Sequence, residues 1–240
     1  MTKKVLLNNI DHGKLKVATG HSAAFGDNVS QALIFPTEFD DVQRDYPILF
    51  SKDANGGFQA VALLGLEENE NLFLDNGAWR ARYVPAAMAR GPFSIALQRQ
   101  DGADAPEPMI HVDLDDPRVN DREGEPVFLP QGGNSPYLVR ISEVLRRIHR
   151  GAEFVKPMFD AFGEADLIAP VKLELMLSET EKINIVDYFS IGEERLRSLD
   201  GATLERLNRQ GYLQAAFAAL SSLGNIRRLI EMKNRKRNAV

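Results

Sequence analysis

Up to about residue 130, short apolar segments alternate with Gly, Pro and Asn breaks, the texture of a sheet built from brief strands. The pattern predicts strands over 5–9, 14–19, 31–35, 47–51, 58–66, 71–74, 93–98 and 109–115. The runs PILFS and FQAVALLGL flank Asn55-Gly56-Gly57, where glycine accepts positive φ, so they predict a hairpin. In MIHVDLD, the period of two sets Met109, His111, Asp113 and Asp115 on one face and Ile110, Val112 and Leu114 on the other. Two short helices interrupt the strands, one capped by Thr37 and one begun near Pro85 and stopped at Gly91-Pro92.

Beyond residue 130 the apolar spacing lengthens to that of helices. Leu138, Ile141, Leu145 and Ile148 predict a helix that starts at Pro136 and stops at Gly151. A second helix over 152–163 is expected to bend or break at Pro157. VKLELML and KINIVDYFSI alternate apolar and polar residues on either side of SETE, as two antiparallel strands exposed on one face would. Two short helices follow, and then one long helix from Tyr212 with Leu213, Phe217, Leu220, Leu223, Ile226 and Leu229 as its core stripe. The expectation is a single α+β domain over 1–240, with an antiparallel β-rich front packed on a helical back that contains one further hairpin. A boundary near Gly132-Gly133 is the alternative.

Composition narrows the classes. With 44% hydrophobic and 26% charged residues the chain is globular, and the absence of cysteine excludes disulfides, thiolate metal sites and cysteine nucleophiles. A net charge of -5 gives no general attraction to nucleic acid, and no apolar run approaches the roughly 20 residues of a membrane span. MTKKVLLNNI lacks the apolar stretch of a secretory signal, so a cytoplasmic location is expected, without nucleic acid or membrane insertion.

Five stretches carry a resemblance: VLLNNIDHGKLKV, ALIFPTEFDDVQRDYPILF, ENLFLDNGAWRARYVP, GEPVFLPQGGNSPYL and GYLQAAFAALSSLGNIRRLIEMKN. In this order they resemble the bacterial SapC family. The resemblance implies an accessory to an uptake or modification system, since family members accompany TonB-dependent receptors and flavin-dependent tryptophan halogenases in gene neighbourhoods. It brings no catalytic residue set.

Four constellations carry candidate chemistry. Trp79-Arg80-Ala81-Arg82-Tyr83 alternates aromatic and cationic residues that can stack and fork-bind a carboxylate or an aromatic group, so Trp79, Arg80 and Arg82 are the candidate partner surface. Its bland counterpart is a strand edge with Trp79 half buried. Gly132, Gly133, Asn134 and Ser135 precede a helix, where free N–H groups favour an anion, although ordinary capping explains each of them. His111 and Asp113, joined by His149, form a candidate Fe(II) triad, against which stand a structural polar strand face and a core-edge histidine. The acidic run from Asp113 to Glu125 departs from the EF-hand pattern at Pro117 and reads as a solvated loop. No cofactor and no metal are expected. The preferred reading is a binding protein for a peptide or protein partner, with an Fe(II)-dependent oxygenase using His111, Asp113 and His149 as the alternative. On that reading, replacing Arg80 and Arg82 together by Ala spares the melting curve.

Overall fold

The computed structural model describes residues 3–98, 107–176 and 182–238. It is α+β, with antiparallel sheets and helices in two compact units that interleave along the chain. The first unit takes residues 1–27, 76–78 and 86–149; the second takes 28–75, 79–85 and 150–240.

In the first unit, Glu107–Asp113 is the middle strand of a three-stranded sheet between Lys4–Leu6 and Phe93–Gln98. Its register sets Val112 between Val5 and Phe93. Val112 and Phe93 are buried with Val17, Val127, Leu138, Ile141 and Leu145. The period of two therefore sends the apolar face of MIHVDLD into the core and His111 to the other side. A small sheet with Lys16–Val17 between Val119–Asn120 and Glu125–Pro126 flanks it.

The second unit has a five-stranded antiparallel sheet in the order Ile168–Met176, Lys182–Ile191, Ile48–Lys52, Phe58–Leu63 and Gln31–Ile34. The hairpin expected at Asn55-Gly56 forms: Gly56 has φ +82°, and the Asp53 carboxylate accepts from the N–H of Asn55 and Gly57. The C-terminal hairpin forms as well, although its SETE turn lies outside the described residues. Phe50 and Phe58 meet Phe159 with ring centroids 5.0 and 5.6 Å apart, which packs this sheet on the helical segment.

Several expectations are corrected. The helices predicted on either side of Gly151 are one, Pro136–Glu164, and it continues through Pro157. Gly151 permits close approach and does not stop the helix: a Cβ there would lie 2.5 Å from Phe35 Cβ and 2.6 Å from Thr37 Oγ1. The expected long last helix is two, Tyr212–Ser222 and Asn225–Asn238, separated at Leu223-Gly224. Its first half buries Ala215, Ala216, Ala218 and Ala219 in place of the leucine stripe, and Phe217 is 51% exposed. Leu220, from the expected stripe, is only half buried. Near residue 37 the cap is not Thr37; Glu38 Oε1 accepts from the Phe35 N–H at 3.0 Å. Among the described residues no helix is long and apolar enough to cross a membrane.

Candidate functional site

The Trp79-Arg80-Ala81-Arg82 segment lies in the second unit. Asn76 and Gly77, both at positive φ, reverse the chain just before it. Trp79 is half buried, as the strand-edge reading has it, and its indole N–H donates to the Tyr46 hydroxyl at 2.6 Å. That hydroxyl donates to the Tyr83 carbonyl at 2.5 Å, and the Tyr83 hydroxyl donates to Glu38 Oε2 at 2.7 Å. Tyr46 and Glu38 are fully buried, and burial pushes the Tyr46 hydroxyl far above its ordinary pKa. This chain of bonds fixes the indole edge, so Trp79 is presented in one orientation.

The two arginines are held differently. Arg80 makes an exposed pair with Asp75 at 3.0 Å. Arg82 is committed to Asp45, a carboxylate only 2% exposed: its backbone N–H donates to Oδ2 at 3.0 Å and its Nη2 to Oδ1 at 3.2 Å. Nη2 also donates to the Arg44 carbonyl at 2.7 Å. A third arginine, unforeseen in the sequence, completes the cluster. Arg228 Nη1 donates to Asp45 Oδ1 at 2.6 Å, from the Asn225–Asn238 helix. Asn225 positions that helix by donating to the carbonyls of Gln43 and Tyr46 at 2.8 and 3.1 Å. Burial works against the Asp45 charge, but the hydrogen bonds from Arg82 and Arg228 outweigh it and hold the carboxyl below the usual range. Asp45, Trp79, Arg80, Ala81, Arg82 and Arg228 line an open depression of about 470 Å³.

The expected neutrality of the double Arg80 and Arg82 substitution is therefore corrected for Arg82, whose guanidinium neutralises a buried charge. Arg228 left little trace in the sequence, since Arg227 and Arg228 both lie between the buried Ile226 and Leu229, and only the fold separates the exposed Arg227 from the half-buried Arg228.

The other candidates fall in the first unit. Ser135 is buried and caps the Pro136–Glu164 helix, its Oγ accepting from the Leu138 N–H at 3.1 Å. Gly132 and Gly133 adopt φ +86° and +88° in the preceding turn, and Asn134 bridges to Phe128. All four are used by turn and cap geometry. His111 is half buried with Nδ1 3.3 Å from the Met109 carbonyl, and Asp113 Oδ1 accepts from the Asp115 N–H at 3.2 Å. His149 is half buried on its helix. Among the described residues no three His, Asp or Glu side chains gather as metal ligands, so His111, Asp113 and His149 are not brought together as a triad.

Within the acidic run the structure places an ion-pair cluster. Asp116 takes Arg118 at 2.9 Å through both carboxylate oxygens. Asp27 lies 4.0 Å from Arg118 and 3.3 Å from His21, and the Arg118 guanidinium covers the Phe25 ring. Burial raises the Asp116 pKa, but its bonds from Arg118 outweigh that and keep it low.

The fold and the depression define an α+β protein with an arginine-rich, tryptophan-edged surface site. The chain belongs to the SapC family, whose model matches residues 7–229. No curated protein and no solved structure matches the chain.

Proposed function

We propose that this protein is a non-catalytic accessory that recognises a peptide or protein partner through the Trp79, Arg80 and Arg82 surface, in the cytoplasm and in the service of an uptake or modification system. One observation carries the reading: the only tryptophan of the chain is fixed by its hydrogen bond to the buried Tyr46 at the edge of a depression lined by three arginines. Tryptophan and arginine are the residues that most often dominate binding energy at interfaces, and an aromatic held in one orientation loses little entropy on binding. The TonB-dependent and halogenase associations of the family supply the first candidates for the partner.

Tagged protein is used to capture partners from the native cell lysate, each captured protein is identified, and the purified candidate is rebound to wild type and to Arg80→Ala. Direct rebinding, weakened severalfold in Arg80→Ala at unchanged melting temperature, supports the reading. A purified partner that binds Arg80→Ala as tightly as wild type removes this surface from it.

A further inference from the structure

We infer that the depression is a carboxylate-recognition site, in which Arg228 is a binding residue and Asp45 a positioning residue. The inference rests on the partner-binding reading and names the chemistry that the partner presents.

The ground is the inventory of donors. Arg80 uses Nε on Asp75; Arg82 uses its backbone N–H, Nε and Nη2 on Asp45 and the Arg44 carbonyl; Arg228 uses Nη1 on Asp45. Among the described residues, Arg82 Nη1, both terminal nitrogens of Arg80, and Nε and Nη2 of Arg228 have no protein acceptor. These groups belong to side chains that line one depression. A guanidinium presents paired, coplanar N–H donors that match the two oxygens of a carboxylate.

Burial of the holding group supplies preorganisation. Asp45 is nearly inaccessible, so it cannot itself serve as a ligand for a basic partner, yet it fixes two guanidinium groups whose side chains remain 69% and 39% exposed. Free arginines lose considerable rotamer entropy when they engage a ligand, and a pair already fixed from below loses less.

Charge selects the ligand. Three guanidinium groups face the carboxylates of Asp45 and Asp75, which leaves the depression one charge positive. A single carboxylate balances it, whereas a phosphoryl group with about -1.5 to -2 charge over-fills it. The residue next to that carboxylate meets the Trp79 ring. The carboxylate can come from a Glu or Asp side chain or from a chain terminus.

The lone tryptophan provides the readout, since all tryptophan emission comes from Trp79. The full chain is titrated with N-acetyl-Ala-Ala-Ala bearing a free terminus, with N-acetyl-Ala-Glu-Ala-amide, with N-acetyl-Ala-Gln-Ala-amide and with inorganic phosphate. A saturable change with at least one carboxylate peptide, none with the Gln peptide, and about tenfold weaker binding in Arg228→Gln is the expected result, because one charge-assisted hydrogen bond is lost. The first two peptides distinguish the terminal from the side-chain source. Arg80→Gln, which disturbs only an exposed pair, gives the same weakening and serves where Arg228→Gln lowers the melting temperature. No saturable response to either carboxylate peptide at millimolar concentration, or saturation by phosphate at lower concentration than by either, overturns the inference. If an Arg80-dependent partner is rebound while the carboxylate peptides fail, the inference falls and the binding function stands. Arg228-dependent peptide binding without any partner gives the reverse.

Discussion

Both units of this protein tie a carboxylate to arginine, and the two clusters differ in where the rest of the arginine goes. In the first unit Arg118 is 13% exposed, enclosed by Asp116, Asp27 and the ring of Phe25. In the second, Asp45 is as hidden as Asp27, but its partners Arg82 and Arg228 reach the surface with donors to spare. The closed cluster uses its guanidinium within the fold. The open one uses a buried carboxylate to hold guanidinium groups toward solvent. Ion pairs of similar chemistry thus differ in whether the fold encloses the guanidinium or leaves part of it toward solvent.

The largest effect is expected where the cluster is closed. Arg118→Ala removes the guanidinium that donates to both carboxylate oxygens of Asp116 and should cost about 3–5 kcal/mol in urea unfolding, the range for breaking a buried pair. A loss under about 1 kcal/mol would show that the enclosed arginine is dispensable to the fold. Arg82→Ala should cost less, roughly 1–2 kcal/mol, because Arg228 stays on Asp45 and solvent replaces most of the exposed guanidinium. Equal losses for the two variants would erase the distinction between the clusters.

Acid sharpens the comparison. Asp45 and Asp116 have folded pKa values below 3.8, so each contributes stability that is fully present above that value. The contribution is lost as the pH falls from about 4 through the folded pKa of each group. Unfolding measured between pH 5 and 2 should show a shallower decline for Asp116→Asn and for Asp45→Asn than for wild type, and no change of slope from either group above pH 5. The smallest stability effect belongs to Arg80→Ala, within about 0.5 kcal/mol, since its pair with Asp75 is exposed and solvent-screened. A larger loss would make Arg80 part of the fold.

Legibility in the sequence followed the range of the interactions. The strand MIHVDLD, the Asn55-Gly56 hairpin and the alternating C-terminal hairpin were readable because period and turn chemistry are local. Gly151 was misread because a stop and a close approach to Phe35 look alike until the approaching residue is known. The predicted stripe holds at Ile226 and Leu229, which are buried, but fails on the Tyr212–Ser222 helix for a related reason, as the packed face there is the alanine face. In the candidate site, Trp79, Arg80 and Arg82 stood out by their alternation. Asp45 and Glu38 did not, because in TEFDDVQRDY they are two of four acidic residues with nothing local to mark them as buried. Arg228 lies 183 residues from the carboxylate that it binds, a pairing that only the folded chain reveals.

On the proposed reading the partner sits in the second-unit depression. The chain has one tryptophan, so a nitrogen-15-labelled sample gives a single indole N–H resonance, from a group bonded to Tyr46 inside that site. Titrating the purified partner into this sample while following that resonance is the most direct test. The indole signal is predicted to move and saturate together with binding, and to move far less at the same partner concentrations in Arg80→Gln. A partner that binds while the indole resonance stays in place would put recognition on another face and contradict the account.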